Sequence, residues 1–284
     1  MTLPLVVGVD GSDASLRAVD WAVDEAARHG LPLRLVHASL WERYEGGVPT
    51  DSLERPSERV MAEHVVGSAA ERARRHDPSV TVTTAIVPDE AAEALVREGN
   101  EATALVTGSR GRGGLRGLLL GSVGLAVAAR APCPVIVVRG DPAALASSHE
   151  RILLGAGDAT TCGEAVRFAF REAAARKCTL DAVRAWRRRA DGSGEESARP
   201  EEHASTGLDA LLRDAVADHP GVRVRRATVE GHAHDVLLRR TAAADLVIVG
   251  AGRRTGHFGL QVGRVAHKLL HHADCPVAIV PQPV

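Results

Sequence analysis

Residues Leu105–Val138, LVTGSRGRGGLRGLLLGSVGLAVAARAPCPVIVV, decide the fold, because a near-copy, LVIVGAGRRTGHFGLQVGRVAHKLLHHADCPVAIV, begins at Leu246. Gly108 answers Gly250, Gly121 answers Gly263, and Cys133-Pro134 answers Cys275-Pro276. Each copy runs from an apolar stretch through a glycine-rich loop into a helix-length segment and a second apolar stretch. The match extends upstream: LVVGVDGS from Leu5 is answered by ILLGAGDAT from Ile152, and Ala18, Val19 and Trp21 by Ala165, Val166 and Phe168. Self-similarity over this length means a duplicated structural unit. The chain therefore divides into two homologous domains, residues 1–140 and 150–284, joined by the polar linker DPAALASSHE, Asp141–Glu150.

Within each copy, strand and helix signals alternate. Leu3–Val9 is an unbroken apolar run, as a strand covered on both faces requires. Ser12 or Asp13 caps a helix that runs to about His29, where Gly30 and Pro32 stop it. The same reading gives strands over Leu33–Ala38, Val80–Val87, Ala102–Thr107 and Pro134–Val138, and helices over Ser57–His76, Asp89–Gly99 and Ser122–Arg130. Helix-length crossovers between apolar strands imply parallel pairing with right-handed connections. The expected class is α/β, with two tandem doubly wound parallel sheets.

Composition narrows the function. Hydrophobic residues make up 45% and aromatics only 2%, so the cores are aliphatic. The formal net charge is -1, without the basic excess of a dedicated nucleic-acid binder. Lys177 and Lys268 are the two lysines. The four cysteines, Cys133, Cys162, Cys178 and Cys275, have neither zinc nor disulfide-framework spacing. They read as buried thiols, with redox sensing as the rival. With no basic leader and no apolar run of membrane-spanning length, the expectation is a cytoplasmic protein that engages neither membrane nor nucleic acid.

In open α/β sheets ligands bind beyond the carboxyl ends of the strands, where the strand order reverses. Two features of the first copy fall at such ends: Asp10-Gly11-Ser12, and Gly108-Ser109-Arg110-Gly111 with Gly121-Ser122 following. Glycines let backbone amides approach a phosphate, and the helix entered at Gly121-Ser122 offers free N–H groups and a favourable dipole. Arg110, Arg112 and Arg116 add positive potential, while Asp10 suits ribose hydroxyls or a magnesium ion. The competing reading of such a loop is a plain tight turn, with Ser122 as a helix cap.

The spacing G-x2-G-x9-G-S, carried by Gly108, Gly111, Gly121 and Ser122, resembles the ATP-binding signature of the universal stress proteins. VGVDGS (Val7–Ser12), LVHAS (Leu35–Ser39) and the closing CPVIVV resemble that family as well. The resemblance covers nearly the whole chain, twice. It implies an adenine nucleotide alpha hydrolase-like fold with strand order 3-2-1-4-5 and ATP, with or without Mg2+, as the ligand. Asp10 would contact ribose and the Ala38 backbone adenine, while the glycine loop with Ser122 and Val123 would wrap the phosphates. The function implied is a nucleotide-dependent regulator in stress response that is not primarily an enzyme, acting on an unidentified protein partner. The form implied is a homodimer or a pseudo-symmetric monomer in which the last strands, Pro134–Val138 and Pro276–Val280, pair. The rivals are an interaction module with vestigial sites and a slow ATPase; no G-x-x-x-x-G-K-[ST] sequence occurs.

The second copy departs from the signature. Gly157 stands at or near the place of Asp10, with the nearest carboxylate at Asp158; Arg253 replaces Gly111 and Arg264 replaces Ser122. An empty or altered site is expected there, unless Arg253 and Arg264 grip phosphates themselves. His267, His271 and His272 lack the spacing of a completed metal site. Trp41 and Tyr44 lie beyond the second strand, where they either cover the adenine or pack on their own loop.

Overall fold

The computed structural model describes residues 2–40, 57–111, 120–188, 200–252 and 262–282. Trp41, Tyr44, Arg112, Arg116 and Arg253 lie outside the described residues. The chain forms two compact units, Met1–Val138 and Arg139–Val284.

In the first unit the elements run β1 (Leu5–Gly8), α1 (Asp13–His29), β2 (Leu33–Ala38), α2 (Ser57–His76), β3 (Val82–Val87), α3 (Ala91–Glu98), β4 (Ala104–Gly108), α4 (Ser122–Arg130) and β5 (Val135–Val138). All its strand pairs are parallel, in the order β3-β2-β1-β4-β5. The order reverses between β1 and β4, so the crevice lies beyond their carboxyl ends. Val6, Val7, Leu33, Leu35, Leu105 and Val106 are wholly buried, which explains why the strands read as continuous apolar runs.

Helix α1 starts where Ser12 Oγ accepts the Ser15 amide at 3.2 Å and ends at Gly30, left-handed with φ 62°. Its buried stripe of Ala14, Ala18, Ala22 and Ala26 recurs every fourth residue and brings the helix close to the sheet. Several expected boundaries shift by one or two residues, two of them for evident local reasons. β3 begins at Val82, because Asp77 Oδ1 holds the Ser79 amide at 2.8 Å and Val80 closes a turn on the Asp77 carbonyl at 3.4 Å. α3 begins at Ala91, because Asp89 turns its carboxylate onto the Glu90 amide at 2.9 Å and onto Arg97.

The second unit opens with a short helix, α5 (Pro142–Leu145), capped by Asp141. It continues as β6 (Arg151–Gly155), α6 (Ala159–Arg176), β7 (Thr179–Trp186), α7 (Pro200–Asp218), β8 (Arg223–Glu230), α8 (Ala233–Thr241), β9 (Leu246–Ala251), α9 (Arg264–His272) and β10 (Val277–Pro281). Its strands are parallel in the order β8-β7-β6-β9-β10, the same topology again. Asp245, only 2% exposed, accepts the amides of His149 (2.9 Å) and Arg151 (3.0 Å) and so fixes the start of β6.

Register fixes the correspondence between units. Leu5 pairs with Leu33 and Ala104, and Ile152 pairs with Leu180 and Leu246. Counting along the strands from these pairs, Gly157 stands at the place of Asp10 and Arg184 at the place of His37. No helix among the described residues is long and apolar enough to cross a membrane.

Candidate functional site

The chain turns away from β1 through Val9, Asp10 and Gly11, and Gly11 takes the left-handed conformation (φ 77°). That turn lets Asp10 Oδ1 accept the Ser12 amide at 3.0 Å. The turn is tied to the glycine loop, since Ser12 Oγ lies 3.4 Å from the Arg110 carbonyl. Asp10 also packs on that loop: a Cβ added to Gly111 would stand 2.5 Å from Asp10 Oδ2. Gly108 is required for a different reason, as a Cβ there would lie 2.6 Å from the Ala14 backbone in α1.

Ser109 fastens both ends of the loop. Its amide donates to the Val138 carbonyl (3.1 Å) and its carbonyl accepts from Gly121 (2.8 Å). Gly121 then serves as the N-cap of α4 with φ -76° and ψ 153°, so Ser122 is the first helical residue and not the cap. The amides of Ser122, Val123 and Gly124 lie in the turn that has no intrahelical acceptors, where the helix dipole favours an anion.

These parts enclose a cavity of about 430 Å³. Of the residues predicted from sequence, Asp10, Ala38, Gly108, Arg110, Gly111, Gly121, Ser122 and Val123 line it. Gly11, Ser12 and Ser109 form the frame behind it, and Arg112 lies outside the described residues. Val9, Val36, His37, Ala91, Leu95, Thr107 and Leu120 also line it, and the motif reading had missed them. The apolar members make a greasy end near β2 and α3; the glycines and the α4 amides make a polar end. A cavity of this size with one apolar and one anion-seeking end suits a small molecule carrying a flat ring and phosphates.

Three lining residues outside the predicted set are polar, Ser15, His37 and Thr107; Ser15 Oγ donates to the Ser12 carbonyl at 2.9 Å. His37 Nδ1 lies 2.7 Å from the Val9 carbonyl, an acceptor, so this ring nitrogen is the N–H donor. Thr107 is 5% exposed, and its buried Oγ1 has no hydrogen-bond partner among the described residues. Neither of these last two positions follows from periodicity; His37 marks a strand end within LVHAS, while Thr107 sits inside an apolar run.

The second unit has a larger cavity, about 950 Å³, at the corresponding place. Gly157 presents no carboxylate there, and Asp158 has become the N-cap of α6 without a side-chain capping bond. Arg184 donates to the Gly157 carbonyl at 3.0 Å and to Asp158 Oδ1 at 3.2 Å. Arg264 opens α9, where its charge opposes the dipole.

The thiols are not activated. Cys133, Cys162 and Cys275 are buried and Cys178 is partly so. Burial pushes Cys133 and Cys178 up to about 11 and raises Cys162 and Cys275 as well. The His267 and His271 rings lie 4.4 Å apart. Burial, with His267, His272, Arg139 and Lys268 around it, holds His271 below its ordinary range.

The model of the Universal stress protein family matches residues 1–139 and again 149–281. Universal stress protein Rv2005c of Mycobacterium tuberculosis is 32% identical over 298 aligned residues, covering 98% of this chain and 97% of its own. A universal stress protein of Mycolicibacterium smegmatis is 31% identical, covering 97% of this chain and 96% of its own. Among solved structures, a universal stress protein from Archaeoglobus fulgidus superposes with a TM-score of 0.70 at 15% identity, covering 99% of this chain and 98% of that one. At that identity the likeness concerns the fold.

Proposed function

The chain belongs to the universal stress protein family, and on that premise we propose that its first unit binds ATP and acts as a nucleotide-dependent regulator in stress response. The observation that carries this reading is the convergence of Asp10, Gly111 and the amino end of α4 on one cavity. ATP would place its triphosphate against the Gly108–Gly111 backbone and the Ser122 and Val123 amides, with Arg110 adding charge. Ribose hydroxyls would meet Asp10, and adenine would occupy the apolar end beside Ala38, between Val36 and Leu95.

Binding, not rapid turnover, is the proposed role. The chain has no G-x-x-x-x-G-K-[ST] sequence, and both lysines lie outside the first unit. Regulation through binding asks only that ATP favour one conformation or partner surface over another. The turn after β1 and the glycine loop touch each other, so a ligand that spreads one acts on both.

The second unit is proposed as a non-binding copy. The carboxylate at the Asp10 place is missing, and the Asp158 carboxylate is engaged by Arg184. Titration of nucleotide-free protein with ATP and magnesium tests both statements through stoichiometry: one site per chain supports them, and two sites refute the second.

A further inference from the structure

The carboxyl end of β2 carries an irregularity in its hydrogen bonding. In the parallel ladder the Val9 amide donates to the Val36 carbonyl at 2.9 Å, so the next rung would run from the Ala38 amide back to the Val9 carbonyl. His37 takes that carbonyl instead, through Nδ1 at 2.7 Å. The pairing of β1 with β2 ends at Gly8–Val36, and Ala38 lies past the last rung. Because Nδ1 carries the proton, Nε2 of the neutral ring has a lone pair. His37 and Ala38 both line the cavity, next to its apolar end.

We infer that His37 makes this cavity a reader of 6-aminopurines: by occupying the Val9 carbonyl it leaves the Ala38 amide as a donor, and it presents Nε2 as an acceptor. This inference rests on the nucleotide reading of the site. Adenine offers an acceptor at N1 beside a donor at its 6-amino group, which matches that pair. Guanine and hypoxanthine offer the reverse, a donor at N1 beside an acceptor at O6, and held in the same pose would leave both protein groups unsatisfied in a partly buried place. Such a mismatch discriminates far more strongly than a change in size.

In the second unit the place of His37 belongs to Arg184, which has no acceptor to offer. The base-reading pair is therefore confined to the first unit.

The test is a set of dissociation constants for ATP and for inosine triphosphate, which differs from ATP at the edge in question and lacks the bulk of guanine's 2-amino group. The unmodified protein is expected to favour ATP by at least about tenfold. His37→Phe, which keeps a ring but no nitrogen, should shrink that preference at least about tenfold or to none, and His37→Ala should give the same result if the larger ring does not fit. His37→Gln, with both a donor and an acceptor, should retain part of the preference. An unchanged ATP preference in folded His37→Phe or His37→Ala overturns the inference while the nucleotide reading stands. Equal affinity of the unmodified protein for both nucleotides does the same. No binding of either nucleotide overturns both.

Discussion

Asp10 and Gly111 touch: the carboxylate of one lies where the side chain of the other would be, 2.5 Å from a Cβ added there. The obstructing atom is the far end of a side chain that can rotate. Gly111→Ala should therefore leave the fold intact and displace Asp10 from the loop. The loss of one charge-assisted contact, about 1.5–3 kcal/mol, predicts ATP binding weaker by about 10- to 150-fold. Calorimetry paired with a thermal melt separates the two effects; a collapsed melt would mean that Gly111 supports the fold.

Gly108→Ala should do the opposite. The added Cβ meets the Ala14 backbone at 2.6 Å, and neither α1 nor β4 can yield without moving the sheet. Overpacking of this kind costs about 1–3 kcal/mol. A lower denaturation midpoint, measured without nucleotide, is the expected outcome, and an unchanged midpoint would contradict the close approach of α1 to β4.

Arg184→Ala separates two causes for the proposed silence of the second unit. Its partner Asp158 has a side chain 82% exposed, and such a pair contributes about 0–1 kcal/mol, so stability should hardly change. The ATP stoichiometry should stay at one, because the carboxylate at the Asp10 place is still missing. A second site in the variant would show that Arg184 alone was the obstruction.

The thiols predict an alkaline weakness. Burial raises Cys133 and Cys178 to about 11 in the folded protein, against an ordinary value near 9 that unfolding restores. Between those values the folded state holds the protons more tightly than the unfolded state. Their contribution is present below about pH 9 and is lost as pH rises through about 11. Denaturant midpoints should fall over that window. At neutral pH the native thiols should react with alkylating reagents far more slowly than in the unfolded chain.

The architecture was legible because parallel strands leave a plain trace: runs such as Leu5–Gly8 and Val135–Val138 are apolar throughout, and Gly30 and Pro32 end α1 where they stand. The glycine loop was legible through its spacing, since a Cβ at Gly108 would strike the α1 backbone and one at Gly111 would displace the Asp10 carboxylate. His37, Thr107 and Arg184 were not legible as site residues. Their relevance depends on strand register and on a hydrogen bond between residues far apart in the chain, which no local pattern encodes. At Ser122 the competing reading as a cap gives way: the backbone assigns that place to Gly121, and the helix runs Ser122–Arg130 as expected.

Calorimetric titration of nucleotide-free protein with magnesium and ATP, beside Asp10→Ala, tests the central claim most directly. One site per chain, lost or weakened at least about tenfold in the variant, is the predicted result. Two sites, one site that Asp10→Ala leaves untouched, or no binding at millimolar ATP would each contradict it.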